Sequence, residues 1–138
     1  MYSLDELKQQ NQDIRNLCDI LSALSEHKSL HGNPYSCDLM SRFKEKVWMH
    51  LVFEDDTLYA ELVKHNSESV NSIARAFHGS AKDIKKTFSG YFRRWCNPAV
   101  TDEEHEAMKQ ESKELFDLVR ERIDYENEKM FPLVEKHF

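Results

Sequence analysis

Apolar residues recur every three or four positions along four stretches of the chain, which is the spacing of amphipathic α-helices. These stretches cover roughly residues 3–29, 36–64, 67–96 and 101–136. Short polar segments separate them, with the sequences HGNPYS, HNSES and CNPAVTDEE. Glycine, proline, asparagine and serine in these segments favour turns and helix ends. The pattern therefore predicts four helices joined by short connections.

Four helices of similar length with short connections are typical of an antiparallel, up-down-up-down four-helix bundle. The chain has 138 residues, enough for one domain to bury a core without disulfides or a structural metal. Thr101 followed by Glu104 is the pattern of a capping box, which would begin the fourth helix. We predict an all-α protein with a single four-helix bundle domain over residues 1–138.

The charge balance and the cysteines limit the classes of partner and compartment. A net charge of −6 argues against nucleic acid or an anionic membrane as the main partner, because both need a basic surface. Cys18, Cys37 and Cys96 are widely spaced and form no CxxC motif, which suits a reducing compartment. The polar start MYSLDELKQQ lacks the features of a signal peptide, and no apolar run approaches the ~18 residues of a membrane helix. We expect a cytoplasmic protein with no nucleic-acid or membrane partner.

Two charged pairs lie at positions of the recurring apolar pattern, which in most amphipathic helices face the core and carry apolar side chains. His50 and Glu54 lie one turn apart in the second helix, within the segment HLVFEDDTLY. Arg122 and Glu126 keep the same spacing in the fourth helix, within the segment RIDYENEKMF, so the two segments form a near-repeat. A histidine and a glutamate four residues apart can direct a nitrogen and an oxygen to one point. Iron, manganese and zinc sites in helical bundles are often built in this way.

Asn11 is a further polar residue in a core position, on the first helix. Counting residues outward from the predicted turns places Asn11, His50, Glu54, Arg122 and Glu126 in one layer, about two helical turns thick. Isolated buried charges cost several kcal/mol each, so such a layer must be paired internally or must hold a cation.

The segments HLVFEDDTLYAELV and RIDYENEKMFPLVE resemble the paired HxxxE-type motifs of hemerythrin-like (HHE cation-binding) domains. The aromatic-rich third helix, which ends in Trp95, is similar to one bacterial branch of that family. The resemblance implies a four-helix bundle that holds a di-iron centre in its core and binds oxygen, senses gases or redox state, or handles iron. It implies His50, Glu54 and Glu126 as metal ligands, with His78 as the candidate ligand from the third helix.

The chain departs from the family pattern in both halves. Arg122 stands where the family has the first ligand of its second motif, and Asn11 stands where a histidine is expected on the first helix. A guanidinium is always protonated and cannot bind metal, so Arg122 could instead neutralise Glu54 and Glu126. The remaining candidates are fewer than the ligands of a typical di-iron site.

Two interpretations remain open. In the first, the protein binds iron or another divalent transition metal at a reduced site and responds to a small diatomic ligand, such as oxygen or nitric oxide, or to redox state. In the second, it is metal-free: Asn11, Arg122 and the buried carboxylates form an ion network, and a surface binds a protein partner. A catalytic role is not expected, because the sequence shows no nucleophile or phosphate-loop motif and too few ligands for a di-iron oxidase.

Overall fold

The computed structural model describes residues 4–27, 34–54, 58–95 and 101–137. Helices make up nearly all of these residues, and no strand occurs among them. The predicted all-α class is therefore confirmed. Every helix in the described ranges is too short or too polar to cross a membrane.

Four long helices and several short elements follow one another along the described residues. In chain order they are α1 (Leu4–Ser25), α2 (Pro34–Glu54), α3 (Ala60–Leu62), α4 (Glu68–Trp95), a 3₁₀ turn (Asp102–Glu104), α5 (His105–Tyr125), a π-helical turn (Glu126–Met130) and α6 (Phe131–His137). The helix α1 packs against α2 and α5, and α4 packs against α5 and, less extensively, against α2. The long helices thus surround a shared interior.

The starts of α2 and α5 follow from local sequence. The helix α2 begins at Pro34, earlier than the predicted start. Proline suits the first position of a helix because its φ is fixed near the helical value and its missing N–H is not needed there. Before α5, the Thr101 N–H donates to Glu104 Oε1 at 3.2 Å and the Glu104 N–H donates to Thr101 Oγ1 at 3.3 Å. The predicted capping box is confirmed, although it closes a 3₁₀ turn and α5 itself starts at His105.

The predicted second and fourth helices both contain π-helical geometry near their buried glutamate. The helix α2 is described as far as Glu54, residues 55–57 lie outside the described ranges, and Leu58 and Tyr59 have π-helical geometry. The fourth predicted helix passes at Glu126 into the π-helical turn, in which the Glu126 carbonyl accepts from the N–H five residues later. Such turns insert one residue into a helix and are frequent at functional sites.

Within the described ranges the apolar core forms two clusters that follow one another along the helices. The larger cluster lies among α1, α2, α4 and α5 and centres on Phe43, whose ring centroid is 5.4 Å from that of Phe88 and 5.8 Å from that of Phe116. The smaller cluster joins α1, α3, α4, the π-helical turn and α6, and includes Phe77 and Phe131. Burial of these large side chains supplies much of the hydrophobic stabilisation. The candidate site lies between the two clusters.

Candidate metal centre

A layer of buried polar side chains separates the two apolar clusters. Along α1, for example, Leu7 belongs to the smaller cluster and Ile14 to the larger one, and a buried asparagine lies between them. The layer contains five side chains, each no more than 6% exposed: Asn11, His50, Glu54, Arg122 and Glu126. The prediction that these residues face the core is confirmed.

His50 lies at the centre of the layer and contacts both glutamates. Its Nε2 is 2.6 Å from Glu54 Oε1 and 2.9 Å from Glu126 Oε1. A protonated Nε2 has one hydrogen, and the contact with Glu126 is the one with hydrogen-bond geometry. Neither oxygen of Glu54 therefore receives a hydrogen bond from the described residues, although the side chain is fully buried. The opposite ring nitrogen, Nδ1, is 2.7 Å from Gln10 Oε1.

Arg122 is held on the other side of Glu126. Its Nε donates to Glu126 Oε2 at 2.9 Å, and its Nη1 donates to the Phe77 carbonyl at 2.5 Å. Nη1 also donates to the Ser80 hydroxyl. The guanidinium carbon lies 3.4 Å from the centre of the Phe77 ring, which is a cation–π contact. These contacts fix the arginine charge beside Glu126, whereas Glu54 receives no hydrogen bond from it.

The pKa values of the three central groups follow from these contacts. Burial raises the pKa of Glu54 to about 8, and the negative charge of Glu126 adds to this effect. Burial also acts to raise the pKa of Glu126, but His50 and Arg122 outweigh it and lower that pKa below its ordinary value. For His50, burial acts to lower the pKa, but the adjacent carboxyl groups of Glu126 and Glu54 outweigh it and raise the pKa to about 10. In the metal-free protein at neutral pH, therefore, Glu54 carries a proton, His50 is an imidazolium and Glu126 is ionised.

The three side chains can converge on one metal ion. One donor atom from each of His50, Glu54 and Glu126 lies within 4.8 Å of the other two. One imidazole nitrogen and two carboxylate oxygens suit iron, manganese or zinc. The carboxyl group of Glu54 accepts no hydrogen bond from the described residues, and a cation would satisfy it. No second group of three such ligands occurs among the described residues. The residues present therefore fit one ion, and Arg122 adds no ligand for a second.

Asn11 and His78 do not join this group of donors. Asn11 is buried in the layer, but its side-chain nitrogen lies 3.4 Å from Asn127 Oδ1. His78 is half-buried, and its ring stacks on Tyr59 with the centroids 4.3 Å apart and the planes 11° apart. The preceding residue, Phe77, is the one buried in the core, and one step along a helix turns the side chain by about 100°. The position of His78 therefore does not support the expected role as a metal ligand.

Three groups that contact His50 or Arg122 do not stand out in the sequence: the Gln10 amide, the Ser80 hydroxyl and the Phe77 carbonyl. Gln10 and Ser80 lie at the flanks of their helices, half-buried, where polar residues are ordinary. A backbone carbonyl has no sequence signal at all. Sequence reasoning therefore missed the groups that hold His50 and Arg122 in place.

A helical fold with a histidine and two glutamates converging in its interior places the chain among helical proteins with a candidate cation site in the core. Residues 3–134 match the model of the hemerythrin HHE cation-binding domain. The chain belongs to this family, so the resemblance inferred from its two motifs is confirmed. No curated protein and no solved structure matches the chain at a significant level.

Proposed function

We propose that the protein binds one divalent transition-metal ion, iron or another metal of that class, through His50 Nε2 and carboxylate oxygens of Glu54 and Glu126. The observation that carries this proposal is the state of Glu54. Its carboxyl group is fully buried and lies 2.6 Å from His50 Nε2, but it receives no hydrogen bond from the described residues. Burying a carboxylate without hydrogen bonds is costly, and coordination to a cation would offset that cost. Membership of a cation-binding family supports the same function.

The antiparallel, up-down-up-down arrangement of the four long helices is part of this proposal. The packing of α1 against α2 and α5, and of α4 against α5 and α2, is the pattern expected for four helices in a ring. In such a ring Glu54 on α2 and Glu126 at the end of α5 approach the centre from different sides. The site would then lie on the axis of the bundle.

Arg122 makes a single-ion site more suitable than a di-iron centre. Its positive charge is fixed against Glu126 Oε2, and the metal would displace the proton of His50, because a histidine ligand must be neutral. When bound, the ion would supply open coordination positions for a small diatomic ligand such as oxygen or nitric oxide. We propose sensing of such a ligand, or of redox state, as the role of the protein.

Calorimetric titration of the metal-stripped protein with zinc, manganese and iron(II) tests the proposal. We expect about one ion per chain for the wild type and no binding by Glu54→Gln, in which an amide replaces the carboxylate. Glu45→Gln is the matched control, because Glu45 is an exposed glutamate on the same helix. A wild type that binds none of the three metals would contradict the proposal.

A metal-free interaction module is the second candidate, and the contacts of Arg122 favour it. Arg122 Nε and the protonated His50 Nε2 both lie 2.9 Å from Glu126, and Glu54 carries a proton at neutral pH, so neither glutamate needs a metal to balance its charge. The role of the protein would then be to bind a protein partner through its surface. In this case zinc, manganese and iron(II) would leave the thermal stability of the protein unchanged.

A further inference from the structure

The second ring nitrogen of His50 has its own partner across the interface between α1 and α2. His50 Nδ1 lies 2.7 Å from the side-chain oxygen of Gln10, a half-buried residue of α1. An amide oxygen only accepts hydrogen bonds, so the hydrogen in this contact belongs to His50 Nδ1.

The position of that hydrogen decides which nitrogen can bind a metal. A neutral imidazole that carries its hydrogen on Nδ1 has a lone pair on Nε2, and Nε2 is the nitrogen that faces Glu54 and Glu126. We infer that Gln10 is a positioning residue, whose side-chain oxygen keeps the hydrogen of His50 on Nδ1 and thereby presents Nε2 to the ion. This inference rests on the proposed cation-binding function.

Gln10 borders a cleft, so the effect of losing its hydrogen bond can be distinguished from the effect of disturbing the packing. The cleft has a volume of about 170 Å³, opens between α1 and α2, and is lined by Gln10, Ile14, Met49 and His50, with the charged Asp13 and Lys46. Without the Gln10 oxygen, His50 Nδ1 would face this cleft. Water there can donate or accept a hydrogen bond, so it would fix neither the hydrogen nor the orientation of the ring.

Zinc affinities of four versions of the full chain test the inference: wild type, Gln10→Met, Gln10→Glu and Gln12→Met. Methionine matches glutamine in length and helix propensity but lacks the amide oxygen, so we expect Gln10→Met to bind zinc about 10- to 100-fold more weakly. Gln10→Glu keeps an acceptor and should retain the wild-type affinity or exceed it. Gln12 is exposed and bonds to Asn16 on its own helix, so Gln12→Met should bind like the wild type.

Long-range ¹H–¹⁵N spectra of the zinc-loaded protein supply a readout that a purely structural role would not change. We expect His50 of the wild type to carry its hydrogen on Nδ1, slow to exchange with water, and to bind zinc through Nε2. In Gln10→Met that hydrogen should exchange rapidly. Zinc bound through Nδ1 in the wild type would overturn the inference.

The outcomes separate this inference from the function on which it rests. A wild type that does not bind zinc contradicts the cation-binding function together with the role of Gln10. A wild type that binds zinc, with an equal affinity in a folded Gln10→Met, contradicts the role of Gln10 alone. If Gln10→Met does not fold, Gln10→Glu decides, because a ligand-positioning role requires it to bind zinc through Nε2 with the hydrogen on Nδ1.

Discussion

The segments around His50 and Arg122 share a pattern of buried positions but surround their glutamates differently. Glu126 accepts a hydrogen bond from His50 Nε2 at 2.9 Å and another from Arg122 Nε at 2.9 Å. Glu54 holds the equivalent place, four residues after His50, and accepts none from the residues that the structure describes. Both glutamates are completely buried, so the difference lies in their partners. An arginine in one segment satisfies one carboxylate and leaves the other in need of a proton or a cation.

The described backbone of both segments contains π-helical geometry near the glutamate. Leu58 and Tyr59 are π-helical four and five residues after Glu54, and the π-helical turn begins at Glu126 itself. An extra residue in a turn changes which side chains face the interior beyond that point. The two halves therefore keep a common backbone feature while their charged groups differ.

The largest effect is expected from Arg122→Met, which removes the cation from the second segment. Glu126 would then be buried beside His50 alone, and breaking a buried ion pair costs about 3–5 kcal/mol. We expect a decrease of that size in the free energy of unfolding of the metal-free protein, measured by urea denaturation.

The matched control for this variant is Arg75→Met. The Arg75 side chain is 61% exposed and its contact with Glu68 spans 3.6 Å, so its loss should change the free energy of unfolding by less than about 1 kcal/mol. If Arg122→Met had an effect as small as the control, the arginine would not be the partner that satisfies Glu126.

The two glutamates should respond unequally to the same substitution. Glu126→Gln removes the charge shared by His50 and Arg122, and we expect the free energy of unfolding to fall by about 2–3 kcal/mol. Glu54→Gln replaces a group that already carries a proton at neutral pH, so a change within about 1 kcal/mol is expected. Urea denaturation of the two metal-free variants at neutral pH gives both values. Equal losses would show that the two carboxyl groups are not in different states.

Metal should make the Glu54→Gln substitution costly as well, because Glu54 is a proposed ligand of the ion. At a free zinc concentration about 100 times the dissociation constant, binding would add about 2.7 kcal/mol to the stability of the wild type. The same zinc concentration should add nothing to Glu54→Gln. Thermal unfolding with and without zinc measures the difference, and an identical zinc-dependent shift in both proteins would exclude Glu54 as a ligand.

The dependence of stability on pH also distinguishes Glu54 from Glu126 in the metal-free protein. The pKa of Glu54 is raised from 4.5 to about 8 and that of His50 from 6.5 to about 10, so the folded protein holds both protons more tightly than the unfolded chain. The two groups contribute their full stabilisation below their ordinary pKa values. That stabilisation is lost as the pH rises through their pKa values in the folded protein. Glu126 has a lowered pKa, so its contribution is lost instead as the pH falls below 4.5.

We therefore expect the urea midpoint of the wild type to fall as the pH rises from 6.5 to about 10, the window of His50. The loss of the Glu54 proton contributes to this fall in the midpoint, and that contribution is complete by about pH 8. The Glu54→Gln variant should lack it. A wild-type midpoint that rises across the same range would contradict the protonation states assigned to His50 and Glu54.

The burial of these groups could be predicted from the sequence because burial follows helical spacing. Glu54 and Glu126 each stand one turn from apolar stripe residues, which is enough to place them in the core. The capping box of Thr101 and Glu104 was equally predictable, since both of its partners lie within four residues.

The partners of the two glutamates could not be predicted, because they depend on how the helices are rotated and shifted against one another. The sequence suggested Arg122 between Glu54 and Glu126. In the structure its Nε bonds to Glu126, one turn further along the chain, and its Nη1 donates to Phe77 and Ser80 on α4. The same limit applies to His78, where one helical step separates a core position from a flank, and to Gln10, which faces His50 from a different helix.

Elemental analysis of the protein purified from cells grown with added iron, manganese and zinc tests directly whether the protein binds a transition-metal ion. The structure predicts about one transition-metal ion per chain in the wild type, and none in Glu54→Gln purified alongside it. A wild type that contains no transition metal would contradict cation binding. Arg122 and His50 would then balance the charge of Glu126, and a proton would satisfy Glu54.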